Sequence, residues 1–308
     1  MSSSLLREAL KARAAAFVEA LWRSGFALAG CLLRPRVERW SSPGGQRVLV
    51  LAPHPDDEVI GCAGTIAWHV RAGDEVGIVI ITDGRRSRAL GLGPEEMARR
   101  RRQEAELGSQ SLGARLEWLG LPEDAWQPEQ LQAALHSLFQ EWRPHLVYAP
   151  SRIDFHSEHQ RVAQALAAVL GEYSDSRLRA IRVFPVQVPL TPVLANLVTP
   201  IADVMPQVSL ALGAYVTQQD NMGRAMRQRR YAAHLYGLRG GAEELWQMSS
   251  EQYARLHRSL EPTCTSTFRG LRGNAWGDPL AYLTGVSARR AARTAGSSSP
   301  VERVVAHP

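Results

Sequence analysis

The side chains best suited to chemistry fall in two short stretches. His54-Pro55-Asp56-Asp57-Glu58 is followed, about a hundred residues later, by Asp154-Phe155-His156-Ser157-Glu158-His159. Imidazoles and carboxylates at these spacings are divalent-metal ligands. His54 and Asp57, three residues apart, can face the same way in a first helical turn and each give one bond to one ion. His159 makes a third ligand, leaving a vertex for water, as in catalytic rather than structural zinc sites. A His-plus-carboxylate set suits Zn²⁺, with Fe²⁺ and Mn²⁺ as alternatives. Asp56, pointing elsewhere in the same crevice, is then placed as a general base. An ion at this position can lower the pKa of its water to about 7. His156 is placed to stabilise a tetrahedral oxyanion or to protonate a leaving amine. Glu58 reads as a partner that orients a ligand or as a first-turn helix residue. Taken alone, the first stretch could be a mere helix start whose acids complement the macrodipole. A second loop with two histidines weighs against that reading if the two loops meet.

The surrounding pattern predicts that they do. Four apolar runs, 47–52, 76–82, 116–119 and 146–149, read as strands, and the segments 59–70, 94–112, 128–142 and 157–170 between and after them read as helices. Val48 to Leu51 is continuously aliphatic, as in a strand buried on both faces of a parallel sheet. This βαβ alternation predicts an α/β, Rossmann-like, doubly wound and mostly parallel sheet. In the common order 3-2-1-4, strands one and four are neighbours at the switch point, and both ligand-bearing loops follow those strands. No GxGxxG follows the first strand, so a dinucleotide fingerprint is absent.

The chain of 308 residues is 45% hydrophobic, enough for one large core, which excludes disorder of the whole. A basic excess of 36 Lys and Arg over 30 Asp and Glu is too diffuse to name a partner. Cys31, Cys62 and Cys264 lack any CxxC pairing, which argues against a disulfide framework or a cysteine zinc site and fits a reducing compartment. Cys62 reads as small packing. His69, His136, His145, His234 and His257 have no ligand-like neighbours and read as surface or satisfied core residues.

Three segments are expected, at 1–45, 46–262 and 263–308. The first holds an amphipathic helix, with Leu6, Leu10, Ala14, Phe17, Leu21, Leu28 and Leu32 at near-helical spacing, and a Ser-Pro-Gly linker. Glu19 and Arg23 interrupt its apolar run and argue against a membrane span or a signal peptide. The helix is expected either to pack on the domain or to lie on a membrane surface. The expected location is the cytoplasm, with peripheral contact at the inner membrane face as an option. Beyond residue 170 the pattern suggests a strand over 181–188, helices over 207–219 and 224–236, and a disordered tail over 287–308. Arg85, Arg86, Arg88 and the run Arg99 to Arg102 are interleaved with Glu95, Glu96, Glu104 and Glu106, and so read as a solvated helix face. Recognition of a phosphate on a substrate is the next reading, and nucleic acid the weakest.

Ala52-Pro53-His54-Pro55-Asp56-Asp57-Glu58, the Thr82-Asp83-Gly84 turn and Pro150-Ser151-Arg152-Ile153-Asp154-Phe155-His156-Ser157-Glu158-His159 together resemble the PIG-L/LmbE-like de-N-acetylases. The resemblance covers roughly residues 46 to 245. Weaker matches are Arg101 to Glu104, Leu119 to Pro122, Tyr215 to Gln218 and Ala242-Glu243. It implies a zinc-dependent hydrolase that removes acetyl from an N-acetylglucosamine-type sugar or glycoconjugate. His54, Asp57 and His159 match the metal ligands, Asp56 the base and His156 the transition-state stabiliser. Arg85-Arg86 stand where family members often carry an acidic residue, which bears on the sugar or aglycone accepted. A hydrolase of another amide and a non-catalytic sugar-binding module remain the alternatives.

Overall fold

The four apolar runs become four neighbouring strands. The computed structural model describes residues 3–259 and 277–297. A long helix, α1 (Ser3–Leu33), and a two-residue strand, β1 (Glu38–Arg39), precede β2 (Arg47–Ala52), β3 (Glu75–Thr82), β4 (Arg115–Leu121) and β5 (Leu146–Ala149). The last four are parallel in the order β4-β3-β2-β5. This is the expected 3-2-1-4 arrangement, and it opens the loops after β2 and β5 into one crevice.

Alternation along each strand sends side chains to two layers. Leu49, Leu51, Val79, Ile81 and Val147 pack with α4 (Pro128–Trp142), α5 (Ser157–Glu172) and α9 (Ser250–Ser259). Val48, Val50, Ala52, Ile78 and Ile80 pack with α2 (Asp57–Arg71), α3 (Pro94–Leu112) and α7 (Met205–Gly213). Prolines in the first turn start α3 and α4, where a missing N–H costs nothing. Gly113, at φ 74°, closes α3 in the left-handed conformation.

The sheet continues beyond what the sequence pattern predicts. β6 (Ala180–Val183) lies parallel to β5. β8 (Ala242–Met248) then runs antiparallel between β6 and β7 (Leu197–Pro200), and β1 joins the outer edge of β7. The expected strand over 181–188 stops at Val183, because Pro185 and Pro189 cannot donate to a ladder. The expected helix over 207–219 ends at Gly213, and α8 begins at Gln219 rather than Arg224, giving α8 (Gln219–Leu235). Between them Tyr215 turns fully inward to hydrogen-bond Glu58.

The expected disordered tail is corrected over its first part. Val286–Ser297 is a helix with Ala292 fully buried, and Arg289 donates to the carbonyls of Pro189 (2.9 Å), Thr284 (2.6 Å) and Ala281 (2.8 Å). A buried arginine that satisfies three carbonyls hides in an Ala/Arg-rich sequence. The rest of that tail, 298–308, and Cys264 lie outside the described residues. The α1 helix packs on α8 through Phe26, stacked on Tyr231 at 4.8 Å and edge-on to Tyr282 at 4.9 Å. It is not the one-sided amphipath expected, since large apolar side chains also point away from the domain. Despite Glu19 and Arg23, Ala9–Leu33 is long and apolar enough to cross a membrane by length and composition.

Candidate active site

Two loops bring the expected side chains together. After β2 the chain is tied to β3, because Pro53 O accepts from the Thr82 backbone N–H at 2.9 Å and its hydroxyl at 2.8 Å. It then turns through Asp56 and enters α2. Asp56 has φ 143°, a strained conformation for a side chain with a Cβ and one that clusters at functional positions. Asp57 Oδ2 accepts from the His54 backbone N–H at 2.8 Å and lies 3.2 Å from His54 Nδ1. His159, in the first turn of α5, brings Nε2 to 3.0 Å from the same oxygen and 3.3 Å from His54 Nδ1.

The three donor atoms therefore form a triangle with sides of 3.0 to 3.3 Å among buried side chains. An ion with bonds of roughly 2.0–2.2 Å spans such a triangle with little rearrangement. His54, His156 and His159 also present ring nitrogens within 4.8 Å of one another, a looser set. Each ring of the tighter set has a second carboxylate partner. His159 Nδ1 lies 3.0 Å from Asp154 Oδ2, and His54 Nε2 lies 3.3 Å from Glu123 Oε1, without hydrogen-bond geometry. Such partners orient imidazole ligands and raise their basicity.

The electrostatics follow from this crowding. Burial opposes charge on His54, but the neighbouring Asp57 and Glu123 carboxylates win and raise its pKa to about 9. His159 is likewise raised well above its ordinary value, because Asp57 and Asp154 outweigh the burial. Burial alone would raise Asp57, yet His159 and His54 hold it well below the usual carboxylate range. The site is an anion flanked by two imidazoles, which a cation would complete by displacing their protons.

Asp56 is 4% exposed and points beside this triangle. Arg101, itself buried, donates to Asp56 Oδ1 at 2.9 Å and to the Pro55 carbonyl at 2.5 Å. Asn221 Nδ2 stands 3.5 Å from Asp56 Oδ2. Burial pushes the Asp56 pKa up and Arg101 pulls it back, leaving it at about 6. The close approach of Arg101 needs Gly84, at φ 66°, where a Cβ would fall 2.5 Å from Nη1. Arg101 was expected on a solvated face, and this is corrected. Its exposed neighbours Arg100 and Arg102 do pair along the helix, with Glu104 and Glu106, but the helical period turns Arg101 inward, and Glu104 too is buried, accepting from Thr217.

His156 caps α5, its Nδ1 accepting from the Glu158 N–H at 3.3 Å. Its ring centroid is 4.6 Å from that of His54 and 5.0 Å from that of His159. Burial and the two neighbouring imidazoles lower its pKa to about 4. The neutral ring then carries its proton on Nε2, which is free of the cap.

All five expected residues line one open cleft of about 220 Å³, together with Arg101, Glu123, Gln187, Gln218 and Asn221. Glu58 is fully buried, accepts from Tyr215 Oη and from the Asp56 N–H (3.1 Å), and supports the loop from behind. Arg101, Glu123 and Asn221 carried no site role in the sequence reading. The signal for the first two was their place in Arg101 to Glu104 and just after Leu119 to Pro122. Asn221 gave none.

Residues 49–170 match the family model of the PIG-L, GlcNAc-PI de-N-acetylases. Among solved structures, N,N'-diacetylchitobiose deacetylase from Pyrococcus horikoshii is similar with TM-score 0.56 and 22% identity, over 68% of this chain and 85% of that one. The zinc-inhibited form of teicoplanin deacetylase Orf2 gives TM-score 0.53 and 16% identity, over 65% and 97%. The 4-carboxy-2-hydroxymuconate hydratase GalB from Pseudomonas putida KT2440 gives 0.56 and 17%, over 65% and 95%. These likenesses fix the fold, which therefore also serves a hydratase.

Proposed function

We propose, supported by the match of residues 49–170 to the PIG-L family model, that the chain hydrolyses the N-acetyl group of an N-acetylglucosamine-type sugar carried on a larger glycoconjugate. The observation that carries this reading is the triangle of His54 Nδ1, Asp57 Oδ2 and His159 Nε2 beside a strained, buried Asp56. A divalent ion held by those three residues, zinc on donor chemistry, supplies Lewis acidity toward the amide carbonyl and the attacking water. Asp56 accepts the proton of that water. A pKa of about 6 leaves it ionised at neutral pH yet basic enough for the task. Arg101 and the Asn221 amide hold its two oxygens in place. His156 Nε2–H donates to the oxygen that becomes anionic as the carbonyl turns tetrahedral. As the C–N bond breaks, the proton held by Asp56 passes to the departing nitrogen, and the products are acetate and a free amine.

The cleft supports a substrate larger than one sugar. A second cavity of about 350 Å³ shares the wall residues Gln218 and Asn221 and adds Thr217, Gln219 and Asp220. Its amides and carboxylate suit hydroxyl groups. The experiment is a screen of N-acetylated amino sugars, free, nucleotide-linked and lipid-linked, scored by acetate and free amine, with elemental analysis of the purified protein. Acetate release from a linked sugar by metal-loaded protein is expected. Metal-loaded protein that releases none would point to another amide. Binding without turnover would point to a sugar-binding module.

A further inference from the structure

We propose that the outward face of α1 docks the protein on an anionic lipid bilayer, lying in its surface plane. This goes beyond the hydrolysis proposed above and does not depend on it. Half of the exposed large apolar side chains among the described residues belong to this one helix: Leu10, Phe17, Leu21, Leu28, Leu32 and Leu33, each 57% to 74% exposed. At 3.6 residues per turn, all but Leu33 fall within an arc of about 60°. That arc is about a third of a turn from Trp22 and Phe26, which pack toward α8. The helix thus has two apolar sides, one taken by the domain and one facing solvent.

Three further observations select a bilayer as the occupant. Residues 9–17 are exposed throughout, so this stretch of α1 keeps most of its surface outside the core. Arg7 and Arg13, both exposed, lie on opposite flanks of the apolar arc, with Lys11 exposed between them in sequence. That pattern complements an anionic surface and is the composition of interfacial helices. Finally, Glu19 and Arg23 are engaged with α8, through Tyr231 Oη at 3.0 Å and His234 Nε2 at 3.0 Å. Those contacts hold α1 along the domain, so it offers a side rather than a span.

The test uses the full chain and co-sedimentation with vesicles of phosphatidylcholine, with or without phosphatidylglycerol. The wild type is expected to pellet with the phosphatidylglycerol vesicles and to be released by salt. The F17S/L21S/L28S variant, changed only at exposed positions, should keep its helical circular dichroism and melting temperature and bind roughly tenfold or more weakly. The R7E/R13E variant provides a second handle should the first fold poorly, and should lose the preference for phosphatidylglycerol. No pelleting of wild type, or equal pelleting of both variants, overturns the proposal. So does light scattering that shows a dimer dissociated by F17S/L21S/L28S, since the face would then bind a second copy.

Discussion

The two ends of α2 hold the same kinds of side chain and do opposite things with them. At its carboxyl end, His69 Nδ1 meets Asp74 Oδ2 at 2.5 Å and His69 Nε2 meets Tyr148 Oη at 2.8 Å. Proton directions there are settled by the donors around them. Arg182 Nη1 and Trp40 Nε1 donate to Tyr148 Oη at 2.7 and 3.3 Å, so the tyrosine proton goes to His69 Nε2 and His69 donates from Nδ1. Asp74 is saturated further by Ser42 Oγ at 2.6 Å and the Gln46 N–H at 2.8 Å. At the amino end, two imidazoles crowd one carboxylate oxygen at the mouth of a cleft, and the backbone of Asp56 is strained. A histidine–aspartate contact therefore does not mark a functional site by itself. What marks one is convergence of donors on a shared open point, with groups left over.

The comparison breaks most sharply at the amino end. Asp56→Asn should retain metal by elemental analysis and melt within a few degrees of wild type, but lose roughly 10² to 10⁴ in kcat. His159→Ala should lose metal and turnover together. If Asp56→Asn stays fully active, Asp56 is not the base. Arg101→Met comes next, with a loss of about tenfold or more in kcat/KM. Because Arg101 holds the Asp56 pKa down against burial, the acidic limb of the pH–rate profile should move to higher pH in this variant. A limb that stays in place would assign it to another group.

At the carboxyl end, His69→Phe takes one hydrogen-bond partner each from Asp74 and Tyr148. It should cost about 2 kcal/mol in urea melts while the turnover of folded protein is unchanged. The same histidine also makes stability depend on pH. Burial, only partly offset by Asp74, lowers the His69 pKa from 6.5 to about 4. Between those values the unfolded chain binds the extra proton, so this contribution is complete above pH 6.5 and is lost as pH falls toward 4. The loss amounts to about 3 kcal/mol at most, and that part of the slope should vanish in His69→Phe.

The sheet centre and the convergence of the five candidate residues were legible because local signals agree there. β2 to β5 are aliphatic, prolines start α3 and α4, and the ligands sit within two short loops. What was illegible is polar sequence whose partners are far away. β8 carries Glu243 and Glu244, both buried. In the fold Glu243 accepts from Arg229 and from the Gly64 and Thr65 N–H groups, and Glu244 from Tyr236 and Tyr282. Arg101 and Arg289 were hidden for the same reason. A charge looks solvated until the fold supplies its partner.

The insertion of β8 between β6 and β7 bears on the order in which the molecule assembles. β1 reaches the sheet only through β7, and β7 only through β8. β1, ahead of the other described strands in the chain, is therefore among the last to gain a ladder, waiting some two hundred residues for its anchor. Such long-range closure slows folding, and the newborn amino-terminal helix stays undocked meanwhile.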